Sequence, residues 1–107
     1  MNMIAVSHLL SRLEAGTYDD RLRSIYCTGN ASSAKRRIRN VTEGYLHAFD
    51  AGIDAEVGIY SAPGRTEIGG NHTDHQHGCV LAASVNLDVL ACAAPNSTDT
   101  IRIVSEG

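Results

Sequence analysis

Ala62-Pro63-Gly64-Arg65-Thr66-Glu67-Ile68-Gly69-Gly70-Asn71-His72-Thr73-Asp74-His75-Gln76-His77-Gly78 separates two apolar runs and holds most of the chemistry in this chain. Four glycines and a proline make its backbone tight, and the seven residues from Asn71 to His77 are all polar. Before it, Val57, Ile59 and Ser61 alternate with Gly58 and Tyr60 as a strand does. After it, Cys79 to Ala94 is rich in Val, Leu and Ala and reads as one or two buried strands. A polar stretch between apolar strands is a solvated loop or a binding loop. An Arg, an Asp, an Asn, a Gln and three His packed this densely favour binding.

Outward from that loop, the first half reads helical. Val6, Leu9, Leu10 and Leu13 recur at helix spacing, with Gly16 placed as terminator. Thr17 and Asp20 have the spacing of a capping box, ahead of a stripe made by Tyr18, Leu22, Ile25 and Tyr26. Gly29-Asn30 breaks that stripe. A third helix starts at Ser32 or Ser33, carries Ile38, Val41, Tyr45 and Phe49 on one face, and stops at Gly52. Toward the C-terminus, Pro95 to Asp99 is a turn and Thr100 to Val104 alternates, which predicts a hairpin. The expected class is α+β, with N-terminal helices over residues 1–54 and a mostly antiparallel sheet over 55–107. A strand as the final element leaves an open edge, so the expectation is a piece of a longer chain.

Composition narrows the function. At 107 residues there is room for one modest core. A net charge of −3 gives no general reason to seek nucleic acid. Lys35-Arg36-Arg37-Ile38-Arg39 is a local exception, and it reads as a solvated helix face. No apolar run approaches the roughly 20 residues that span a bilayer, and Met1 to Val6 lacks the make-up of a signal peptide. Cys27, Cys79 and Cys92 form no C-x-x-C pair, which fits a reducing cytoplasm and three small buried or half-buried side chains. His72, Asp74, His75 and His77 are competent metal ligands, but H-x-D-H-x-H matches no common zinc signature, so no metal is assigned. A polyhydroxylated ligand suits the loop better. Sugar hydroxyls donate and accept at once, and a carboxylate, an amide and an imidazole together match both roles.

The order Pro63-Gly64-Arg65, Asn71-His72-Thr73-Asp74, Gly78, Val80-Leu81 resembles the galactokinase signature of the GHMP sugar kinases. The resemblance is ungapped from Ala62 to Leu81 and continues more loosely to the end. It implies that residues 55–107 begin the GHMP kinase N-terminal domain, with residues 62–78 as its sugar-binding loop and 1–54 as a helical leader. It implies ATP-dependent phosphorylation of the galactose C1 hydroxyl, with Mg2+ as companion ion. In that reading Arg65 is catalytic and stabilises phosphoryl charge, His72 and Asp74 hydrogen-bond the sugar, and Gly70 lets the loop turn against it. Asn71 stands where the family carries Glu, and His75 where it carries Tyr. Both belong to the substrate site, and both leave related sugars open. The family's glycine-serine phosphate loop and later catalytic Asp have no counterpart here, so ATP contacts and turnover are expected to need the remainder of a kinase chain. The alternative is a non-catalytic galactose-binding module or sensor derived from such an enzyme.

Overall fold

The computed structural model describes residues 2–70 and 77–106. Its elements run β1 (Ile4–Ala5), α1 (Val6–Glu14), α2 (Asp19–Ile25), α3 (Ser32–Ala48), β2 (Glu56–Gly69) and β3 (Leu81–Ala93). The fold is α+β, and the three strands form an antiparallel sheet in the order β1-β2-β3.

The three helices end by one device. After α1, Gly16 takes φ +79°, its amide donates to the Leu13 carbonyl, and the Thr17 amide donates to Arg12. That is a Schellman closure, and glycine enters it without a Cβ penalty. After α2 the same pair of bonds forms, Cys27 to Ser24 and Thr28 to Arg23, with Cys27 at φ 49°. After α3, the Ala51 amide bonds Leu46 with Asp50 at φ 50°. The expected stops at Gly29 and Gly52 therefore lie too late, because a cysteine and an aspartate accept the left-handed position instead. Thr17 and Asp20 form no capping box, as no side chain caps α2. Asn30 is more than a breaker: its Oδ1 accepts the Ser32 amide at 2.8 Å and holds the entry to α3.

Two apolar clusters join the halves of the chain. Leu13, Leu22, Ala31, Ala34 and Ile38 pack with Tyr18, Tyr26, Ile59 and Leu90. Val6, Leu9 and Val57 form the other, edged by Tyr45, Leu46, Cys92 and Ala94. β1, which the sequence does not announce, lays Ile4 beside Val57. The first amides of α1, at Val6 and Ser7, then donate to the carbonyls of Ala55 and Ile53. These bonds satisfy donors that a helix start otherwise leaves open. Thr42 is fully buried within α3, and its hydroxyl is satisfied by donating to the Ile38 carbonyl at 2.7 Å.

The basic run on α3 is partly solvated, as expected, but it is also paired. Lys35 reaches Asp19 at 3.1 Å, Arg37 reaches Asp88 at 2.7 Å and Arg39 reaches Glu14 at 2.7 Å. Three of the four cations thus tie α3 to other elements.

The hairpin departs further from expectation. β2 does not stop near Ser61 but runs on through Pro63-Gly64-Arg65 to Gly69, paired with β3 until Gly69 meets Leu81. β3 is a single strand, and most of it is exposed rather than buried; Leu87 and Val89 are 74% and 72% exposed. The helices reach only its C-terminal half. A radius of gyration of 17.1 Å, against about 13 Å for a compact chain of this length, reflects that projection. Asn96 does organise a turn, accepting from the Thr98 amide at 3.0 Å and donating to the Thr100 carbonyl at 2.8 Å. Residues 100–104 nevertheless form no strand, and Ile101, Ile103 and Val104 are exposed. Cys27 and Cys79 are exposed too, contrary to their apolar reading. Cys92 is half-buried, and burial pushes its thiol up to about 11.

Candidate functional site

Arg65 sits in the outer half of β2 opposite Ser84, with its side chain 73% exposed. Among the described residues it meets Glu67 at 3.9 Å, two residues along and therefore on the same strand face. Such an exposed contact is weak. Among the described residues no strong ion pair occupies the guanidinium.

The backbone at this point is irregular. Pro63 pairs with Asp88 but Arg65 pairs with Ser84, so residues 85–87 lie opposite Gly64 alone. A Cβ at Gly64 would stand 3.2 Å from Val85 Cγ2 and 3.3 Å from the Leu87 carbonyl oxygen, which explains the glycine at this bulge. Pro63 lacks an N–H, and β2 tolerates it because only β3 pairs with it there. A second irregularity follows between Glu67 and Gly69. Bulges of this kind re-aim side chains.

Gly70 opens the connection at φ +83°. A Cβ there would fall 2.1 Å from the Cys79 carbonyl oxygen, so the position excludes every side chain. On the far side, His77 has φ 59° and leads back to β3. Asn71, His72, Asp74 and His75 lie outside the described residues. The chain order places them between Gly70 and His77.

Behind Arg65, toward the helices, lies a polar cluster that reading the sequence misses. Asp88 on β3 is only 3% exposed at its side chain. Its Oδ2 accepts the Tyr26 hydroxyl at 2.6 Å and the Ser61 hydroxyl. Arg37 forks onto the same residue: Nη2 donates to the Asp88 carbonyl oxygen at 2.9 Å, and Nη1 lies 2.7 Å from Oδ1 as an ion-pair contact off the hydrogen-bond axis. The guanidinium also lies over the Tyr26 ring, 5.8 Å from its centre. Burial by itself would raise the Asp88 carboxyl, but donors from Ser61, Tyr26 and Arg37 outweigh it and hold the group below its usual range. Burial, and then the bond to Asp88, raises the Tyr26 phenol. The bond to Asp88, against some desolvation, raises Arg37. Two open clefts flank the cluster, one beside Thr28, Asn30 and Ser33, the other beside Pro63 and Ser84. The only early signal was an aspartate inside an apolar run.

The described residues do not fit a nucleotide with its metal ion. The Ser32 amide at the start of α3 is occupied by Asn30, and the α1 amides are occupied by Ala55 and Ile53. Among the described residues no group of three His, Cys, Asp or Glu could hold a metal ion. Nor, among them, is any helix long and apolar enough to cross a membrane.

Residues 45–95 match the family described as the galactokinase galactose-binding signature, from the last turn of α3 through the whole of the hairpin. No solved structure matches the chain.

Proposed function

We propose that this chain, related to the galactokinases through residues 45–95, supplies the sugar-holding part of a kinase site that phosphorylates galactose, or a closely similar sugar, at its C1 hydroxyl. One observation carries the reading. The matched segment puts Arg65 on an exposed strand just ahead of Gly70, whose conformation only glycine accepts. Asn71, His72, Asp74 and His75 follow directly in the chain.

In this reading the Arg65 guanidinium faces the C1 oxygen and offsets charge that grows as the phosphoryl group transfers. His72 and Asp74 accept from hydroxyls remote from C1 and fix the orientation of the ring. Asn71 adds a donor where a carboxylate would only accept, and His75 brings an imidazole. These two positions set which sugar is preferred. ATP supplies the phosphoryl group and Mg2+ screens it, both held by residues other than those described. The chain works in the cytoplasm, where ATP is available.

Galactose-dependent ADP release by the protein from its complete reading frame tests this. Arg65→Ala should lower kcat about a hundredfold or more. Asp74→Ala should weaken equilibrium sugar binding roughly tenfold to a hundredfold. Unchanged sugar affinity in Asp74→Ala would remove the loop from the sugar site.

A further inference from the structure

We infer that Asp88 is a positioning residue for Arg65: it pins β2 to both helical elements at the last regular pair before the bulge that aims the arginine. The inference rests on the kinase reading for its functional half, while its structural half stands on geometry alone.

Asp88 is paired with Pro63, two residues ahead of Arg65. The next pair is displaced by the bulge opposite Gly64. Backbone pairing is therefore interrupted between Pro63 and Arg65, just ahead of the arginine. The Asp88 carboxylate makes up for that. It takes the Ser61 hydroxyl diagonally across the hairpin, the Tyr26 hydroxyl from the end of α2 and the Arg37 guanidinium from α3. Ser61, Pro63 and Arg65 alternate onto one face of β2. Holding Ser61 to the helices thus orients the face that carries Arg65.

A buried carboxylate with two hydroxyl donors on one oxygen and a guanidinium beside the other has little freedom, since each lost contact leaves an uncompensated polar group. Asp88→Asn keeps the shape but removes the charge that holds Arg37 and adds a donor facing other donors. The cluster must rearrange, and the freed element is the stretch from Ser61 to Arg65. Arg65 acts on the transition state in the proposed chemistry. Its misplacement should therefore appear in kcat while sugar KM changes little.

The test is a double-mutant cycle on the protein from its complete reading frame, joined to amide exchange. Asp88→Asn should lower kcat about tenfold with sugar KM within about twofold, and should have almost no further effect in an Arg65→Ala background. Amide exchange in Asp88→Asn should rise over residues 61–67 and stay unchanged in α1 and at Val57. If Asp88→Asn proves unfolded, Ser61→Ala removes one donor from an exposed serine and should show the same pattern at about two- to threefold. Equal kcat losses in both backgrounds, no loss at all, or exchange that rises evenly through the chain would each overturn the positioning role. An Arg65→Ala protein with full kcat would instead overturn the kinase reading, and the exchange pattern would still decide whether Asp88 pins the strand.

Discussion

The two ends of one hairpin behave differently although their sequences look alike. At the base, Val57, Ile59, Leu90 and Cys92 alternate inward and pack under the helices. At the tip, Ile68, Val80, Leu81 and Leu87 carry the same apolar chemistry and are exposed. Only the reach of the helical layer separates them. Strand pattern therefore records which residues can be buried, while tertiary neighbours decide which are. The contrast also divides labour: the base anchors the fold, and the outer half presents Arg65 and Gly70. Asp88 sits at the boundary between them.

The comparison breaks most readily at the base. Leu13 is 1% exposed and belongs to the cluster that receives Ile59 and Leu90. Leu13→Ala should cost about 2–5 kcal/mol of global stability, read from the urea midpoint. A loss below roughly 1 kcal/mol would mean that the base is not a packed core. At the tip a single change should stay local. Gly70→Ala forces a side chain into a left-handed conformation and toward the Cys79 carbonyl, at about 1–3 kcal/mol. Amides at 66–70 and 79–83 should then exchange faster, while the global midpoint falls by less than for Leu13→Ala because the tip can open without the core. A fall in the midpoint as large as that for Leu13→Ala would erase the distinction.

The smallest effect lies at the boundary and depends on pH. The folded Asp88 carboxyl titrates below its ordinary value of about 3.9. Its contribution is therefore fully present above that unfolded value, and it disappears as pH falls through the lower folded one. The stability gap between the native protein and Asp88→Asn should be flat from neutral pH to about 5 and close below about 4. A gap that widened on acidification would reverse the sign and remove the carboxylate from the cluster.

Much was legible in the residues themselves. The apolar spacing of Val6, Leu9 and Leu13 gave α1, and Gly16 gave its end, because periodicity and a left-handed glycine are local properties. The other helix ends escaped notice. Cys27 and Asp50 hold left-handed positions that sequence readers assign to glycine, so Gly29 and Gly52 drew the boundary instead. The strand through Pro63-Gly64-Arg65 was hidden for a similar reason: proline and glycine signal a loop unless a bulge and an unpaired edge admit them.

The sequence by itself determined the family signature, the α+β class and the residues proposed to meet the sugar, since these depend on residue order and short-range pattern. Tertiary structure alone decided the fate of the α3 cations, the exposure of β3 and the role of Asp88. Lys35, Arg37 and Arg39 look like a solvated charge run until Asp19, Asp88 and Glu14 arrive from elsewhere in the chain. The partners of Asp88 come from positions 26, 37 and 61. A carboxylate's energy depends on which donors replace its lost water, and no local window of sequence contains that information.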